Sequence, residues 1–198
     1  MRILVGTESS GVIRDAFIAA GHDAISCDFL PTERPGPHYE GDVMDIIGQS
    51  WDCFIFHPEC TFVCGSGLHW NKRVPGRAAK TTEAIFFVKR LWLYSQHIGK
   101  RCMENPIGCL STKFKKPSQI IQPYNFGEDA SKATCLWLDG LPPLWKTKHI
   151  EPRIVAGKKR WANQTDSGQN RLTPGPDRWK DRARTYPGIA EAMADQWG

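Results

Sequence analysis

Residues Trp51 to Cys64 read WDCFIFHPECTFVC. From Cys53 to Phe56 the run is apolar without alternation, the pattern of a strand buried on both faces. It stops at His57-Pro58-Glu59-Cys60, so a base, an acid and a thiol follow the strand directly. A core strand that delivers a cysteine to a polar loop joins architecture and chemistry in one stretch.

Strand and helix signals alternate on either side of it. RILVG (Arg2–Gly6) is a short strand. SGVIRDAFIAAGH follows, with Val12, Ile13, Ala16, Phe17 and Ala20 at helical spacing and Gly21 as C-cap. Arg14 falls on this helix as an exposed or capping residue. DAISCD (Asp23–Asp28) is a second strand, and the turn-rich LPTERPGPHYEG leads on to DVMDII. Beyond a Gly-rich loop from Thr61 to Lys80, the spacing predicts a helix over Thr81–Gln96 with Ile85, Val88, Leu91 and Trp92 on one stripe. KRCMEN (Lys100–Asn105) is the next strand, and KATCLWLDG one more, placed toward a sheet edge. Short apolar strands alternating with helices predict an α/β, Rossmann-like fold with a mostly parallel central sheet covered on both faces. Asp139–Asp181 has little periodicity and many Pro, Gly and basic residues, and YPGIAEAMADQWG predicts a terminal helix burying Ile189, Met193 and Trp197. The expected organisation is a core at 1–138, a basic, loop-rich region at 139–181, and a C-terminal helix at 182–198 packing back on the core.

The chain has 198 residues, 40% hydrophobic and 24% charged, as expected for a globular protein. No apolar run approaches the length of a membrane span, and MRILVGTESSG turns polar too soon for a signal peptide, so a cytoplasmic protein is expected, with no membrane partner. The seven cysteines are odd in number, and Cys27, Cys53, Cys102 and Cys135 lie in apolar runs, which suits reduced core thiols. The net charge of +5 is concentrated between Lys146 and Arg184, interleaved with Trp161 and Trp179 and preceded by Trp145. Cations neutralise phosphates and flat aromatics stack on bases, so this region suits nucleic acid. The rival reading is a solvated surface with tryptophans plugging a small core.

In open α/β sheets, ligands lie outside the carboxyl ends of the strands. The first strand runs into Thr7-Glu8-Ser9-Ser10-Gly11 and a helix, a turn whose backbone can approach a ligand. Asp28, ending the second strand, can accept from both hydroxyls of a ribose, and Asp42 from an adenine amino group. Each acid alone also reads as a cap or turn residue. Turn, acid, acid in that order describes a site for an adenosine-containing cofactor without phosphates, since no phosphate-loop Lys-Ser/Thr pair follows the first turn. The next strand ends carry His57 to Cys60 and Met103-Glu104-Asn105-Pro106. A thiolate nucleophile needs a base or a charge-stabilising setting, and an acid beside it suits attack coupled to protonation.

The order of these motifs resembles the C5-cytosine DNA methyltransferases, which use S-adenosylmethionine (SAM). TESSGVIRDAF is similar to the family's first motif, Phe-x-Gly-x-Gly before a helix, and HPECT to its Pro-Pro-Cys-Gln loop. ENP resembles Glu-Asn-Val, FGEDASKATCLWLDG the Phe-Gly…Gln-x-Arg-x-Arg strand, RLTP the Arg-x-Leu-Thr motif, and YPGIAEAMA the Gly-containing terminal segment. The resemblance implies a SAM-dependent methyltransferase fold with Cys60 as nucleophile, Glu104 as the acid on the cytosine ring, and Asn105 in support. It implies cofactor contacts from Thr7, Glu8, Ser9, Ser10, Gly11, Asp28, Asp42, His57, Pro58 and Gly188, and substrate contacts from Thr61, Arg171, Arg178 and Arg184. The substrate it implies is DNA, single-stranded or with the base flipped from a duplex.

The departures are specific. Thr7 and Ser9 stand in two key positions of the first motif, and Glu59 replaces the second proline. The Arg pair is absent, leaving Lys132 as the nearby cation. Gly140 to Asn170 replaces a full target-recognition domain, so specificity is expected to be weak or supplied by a protein partner. Three other readings stay open: a C5-modifying enzyme for RNA or free pyrimidine nucleotides, an inactive nucleic-acid-binding protein on the same fold, and a zinc site at His57, Cys60, Cys64 and His69.

Overall fold

The computed structural model describes residues 1–198. Strands β1 (Arg2–Gly6), β2 (Asp23–Asp28), β3 (His38–Glu40), β4 (Cys53–Phe56), β5 (Lys100–Pro106), β6 (Gln119–Ile121) and β7 (Thr134–Asp139) build one sheet in the order β3-β2-β1-β4-β5-β7-β6. The neighbours from β3 to β5 pair parallel, and β7 runs antiparallel between β5 and β6. This is a mixed α/β, Rossmann-like fold with a mostly parallel central sheet. A separate hairpin joins β8 (Arg153–Val155) to β9 (Lys158–Arg160).

The strand period of two sorts the core into two layers. Ile3, Val5, Cys53, Ile55 and Cys102 face α1 (Val12–Ala19) and α7 (Pro187–Trp197), whose Phe17, Met193 and Trp197 complete that layer. Leu4, Cys27, Phe54, Phe56 and Met103 face α2 (Val43–Ile46) and α4 (Arg77–Tyr94), which contribute Val43, Val88 and Leu91. Five short or late helical pieces complete the chain: α3 (Gly65–Leu68), α5 (Leu110–Lys113), α6 (Arg178–Ala183) and the 3-10 turns His69–Lys72 and Pro123–Asn125.

Thr134–Asp139 lies toward a sheet edge as expected, with only the three-residue β6 outside it. Two other expectations need correction. α4 begins at Arg77, after Gly76 in a left-handed conformation, so the expected loop ends earlier than Lys80. Arg14 is neither exposed nor a cap: it is fully buried. Its guanidinium donates to Ser26 Oγ (3.2 Å), Thr32 Oγ1 (3.1 Å) and the carbonyls of Arg34 (3.1 Å), Pro35 (3.3 Å) and Pro37 (3.4 Å), and it pairs with Asp15. Gly11 and Gly36 make room for it, since a Cβ on either would come within 2.5 and 2.7 Å of the guanidinium.

Candidate active site

β4 and β5 are parallel neighbours with Phe56 opposite Met103, so His57, the first residue past β4, comes beside Glu104, which is still paired with β7. His57 Nδ1 lies 3.2 Å from Glu104 Oε2, and both side chains are largely buried. Burial pushes the Glu104 carboxyl up, but the hydrogen bond and charge of His57, with Lys132 and Thr134, outweigh it and hold it below its ordinary value. Asn105 Nδ2 donates to Pro58 O at 2.7 Å, tying the cysteine's loop to β5. Cys60 on that loop is half-buried. A hydrogen bond with Cys64 raises its thiol, helped by burial and the charges of Cys64 and Glu104 and opposed by Lys132. Cys64 is lowered, chiefly by accepting from Cys60, with Ser66 Oγ at 3.3 Å and the Gly67 amide in support. At rest, therefore, Cys60 keeps its proton and has an acceptor beside it.

Beyond the ends of β1 to β3, a slot is lined by Thr7, Cys27, Asp28, Phe29, Gly41, Asp42, Val43 and Phe87. Asp28 accepts from Leu30 N at 3.0 Å, and burial raises its carboxyl. Asp42 accepts from Met44 N at 2.9 Å as the cap of α2, so it is at once a helix cap and a slot residue. Phe29 and Phe87 were missed from sequence. Phe29 follows Asp28 directly and is 72% exposed, an unpartnered apolar face at the slot's mouth. Phe87 comes from α4, and no local pattern announces that.

The first turn is self-satisfied. Glu8 is buried and accepts from Ser10 Oγ and from Gly11 N at 3.1 Å, placing its carboxylate at the start of α1. A helix N-terminus otherwise attracts phosphate, so this arrangement fits a phosphate-free adenosine cofactor. Thr7, at φ 54°, uses its hydroxyl to bridge Gly6 O (2.7 Å) and His57 N (3.0 Å). Ser9 gives its carbonyl to Glu33 N at 2.8 Å. What this turn offers a ligand is mainly backbone.

Other residues singled out from sequence do not converge on the slot. His57 faces Glu104 instead. Gly188 packs against Phe126, whose carbonyl oxygen would lie 1.9 Å from an added Cβ, and donates to Glu128 Oε1 at 3.0 Å. Arg184 is paired with Glu33 at 2.5 Å and Asp181 at 3.2 Å, which commits its charge within the chain. Arg171 and Arg178 line an open cleft with Thr165 and Thr173, and Arg171 Nε donates to Gln164 O at 2.8 Å. The Thr61 carbonyl accepts from Arg77 Nη2 at 2.9 Å, and Thr81 Oγ1 donates to Phe62 O at 2.8 Å, so the segment after Cys60 is pinned to α4. Lys132 Nζ lies 3.4 Å from Arg184 O, within field range of Cys60 and Glu104. No three metal-ligating side chains gather anywhere, so His57, Cys60, Cys64 and His69 do not form a zinc cluster.

No protein-family model matches the chain, and no curated protein matches it. Among solved structures, it is similar to the Entamoeba histolytica methyltransferase EhMeth, with 12% identity and a TM-score of 0.43 over 76% of this chain and 58% of that one. It is also similar to a mutant of Spodoptera frugiperda DNMT2, with 15% identity and a TM-score of 0.40 over 80% of this chain and 57% of that one. The chain thus spans less than two thirds of either structure, and such identities and scores transfer no activity.

Proposed function

We propose that the chain is a SAM-dependent methyltransferase acting on C5 of cytosine in DNA. The observation that carries this reading is the union of Cys60, Glu104 and Asn105 at adjacent strand ends, with the Asn105–Pro58 bond fixing one loop to the other. The neighbouring slot offers two carboxylates and two aromatic rings, which suits the ribose and adenine of SAM. Asp28 would take the ribose hydroxyls, Asp42 the adenine amino group, and Phe29 and Phe87 the flat face of the base. When bound, SAM supplies an electrophilic methyl group.

Cytosine C5 is a weak nucleophile until C6 is occupied. Cys60 passes its proton to Cys64 and its sulfur forms a bond to C6. The ring's electrons move toward N3, where Glu104 delivers a proton, leaving C5 as an enamine carbon able to accept the methyl. Lys132 steadies the thiolate. Loss of the C5 proton to a base then expels Cys60. The exposed Trp145 and Trp179 and the basic hairpin β8–β9 supply stacking faces and cations for the strand.

The test is intact mass after incubation with SAM and 5-fluorocytosine DNA, single- and double-stranded. The expected result is a covalent adduct at Cys60, and Cys60→Ser forms none. Salt-sensitive DNA binding with no adduct and no transfer would overturn the enzyme reading in favour of a binding protein. An adduct only with RNA or free nucleotide would change the substrate.

A further inference from the structure

The reaction asks Glu104 to protonate N3, yet its surroundings keep it ionised at rest. It therefore needs a proton source. The groups facing it are His57 at the end of β4, Cys60 on the following loop, Lys132 and Thr134 beside β7, and the buried Cys102 and Cys135. Of these, only an imidazole ordinarily exchanges a proton near neutral pH. His57 Nδ1 is 3.2 Å from Oε2, a hydrogen-bonding distance. Its Nε2 is buried with no partner. No second bond within the chain fixes which ring nitrogen carries the proton.

Resting on the cytosine reading, we infer that His57 is a positioning residue that loads Glu104 with the proton destined for N3. The proton passes from imidazolium Nδ1 to Glu104 Oε2, and rotation of the carboxyl carries it to N3 as the Cys60 sulfur lone pair forms the S–C6 bond. When that bond breaks after methylation, N3 returns the proton through Glu104 to His57. Nothing is oxidised or consumed by the relay. His57 stands beside Pro58 and Glu59, where the chain departs from the Pro-Pro-Cys pattern.

His57→Asn tests this, because the Asn amide preserves a donor near Nδ1 but has no proton to release. Single-turnover methylation should fall about 100-fold or more, the scale of general acid catalysis. The loss of rate that the wild type shows as pH rises should disappear, with the melting temperature and SAM affinity unchanged. In the wild type, the titration midpoint of His57 Cε1 by NMR should coincide with that alkaline limb. Wild-type rate and pH profile in His57→Asn would overturn the relay, as would an NMR midpoint away from the limb, which decides even if the variant fails to fold. A wild type that forms no adduct and transfers no methyl would sink the cytosine reading itself, a distinct result.

Discussion

The Cys60–Cys64 pair holds its protons unequally: the inner thiol is raised and the outer one lowered by the same hydrogen bond. Above the lowered value the pair already carries one negative charge, so a proton acceptor is present at neutral pH. Cys64→Ala removes it and leaves Cys60 raised by burial and Glu104. The acid limb of Cys60 alkylation by iodoacetamide should therefore move to lower pH and the rate at pH 7 should rise, because the hydrogen bond and charge of Cys64 that hold the Cys60 proton are gone. Peptide mass mapping across pH measures this. Asp28 presents the opposite trade. Burial raises its carboxyl, so at neutral pH its charge costs folding stability, which returns as pH falls through the raised value. Asp28→Asn should raise the melting temperature near pH 7 while weakening SAM about ten-fold or more, the scale of one charge-assisted hydrogen bond, by calorimetry.

At the scale of elements, the loop between β2 and β3 forms one wall of the slot, and α1 holds it through Arg14. Arg14→Leu strips partners from the carbonyls of Arg34, Pro35 and Pro37 and from Asp15. Breaking a buried charged network this way costs about 3–5 kcal/mol. Amide exchange should accelerate from Phe29 to Pro37, and SAM affinity should fall with it, because Asp28 and Phe29 lie at the root of that loop. Unchanged exchange there would refute the anchoring role. The sequence misplaced Arg14 because periodicity ranks helix positions by apolarity, and a guanidinium buried by a folded-back loop carries no such mark.

Across the whole molecule, positive charge gathers on parts that the core does not need. Lys158 and Lys159 are exposed on β9, remote in sequence from the site. Charge reversal of both should leave thermal stability within about 0.5 kcal/mol, as for ordinary surface changes. On the proposed reading it should weaken DNA binding and reduce the slope of log affinity against log salt by about two, close to one per lysine in phosphate contact. Fluorescence anisotropy over a salt series gives both numbers. Arg184 bridges to Glu33, so the segment before α7 closes on the same loop that Arg14 anchors.

Much of this was legible in the residues alone. Unbroken apolar runs ending in polar loops determined a parallel, two-sided sheet, because only strands covered on both faces tolerate them. The side-by-side placement of the Cys60 and Glu104 loops followed, since parallel strands deliver their carboxyl ends to one edge. The three-residue strand outside β7 was too short to show a period. Tertiary structure alone decided the pairing of His57 with Glu104, the arrival of Phe87 in the slot and the burial of Arg14. Each depends on side chains meeting across the fold, through contacts that no local spacing encodes.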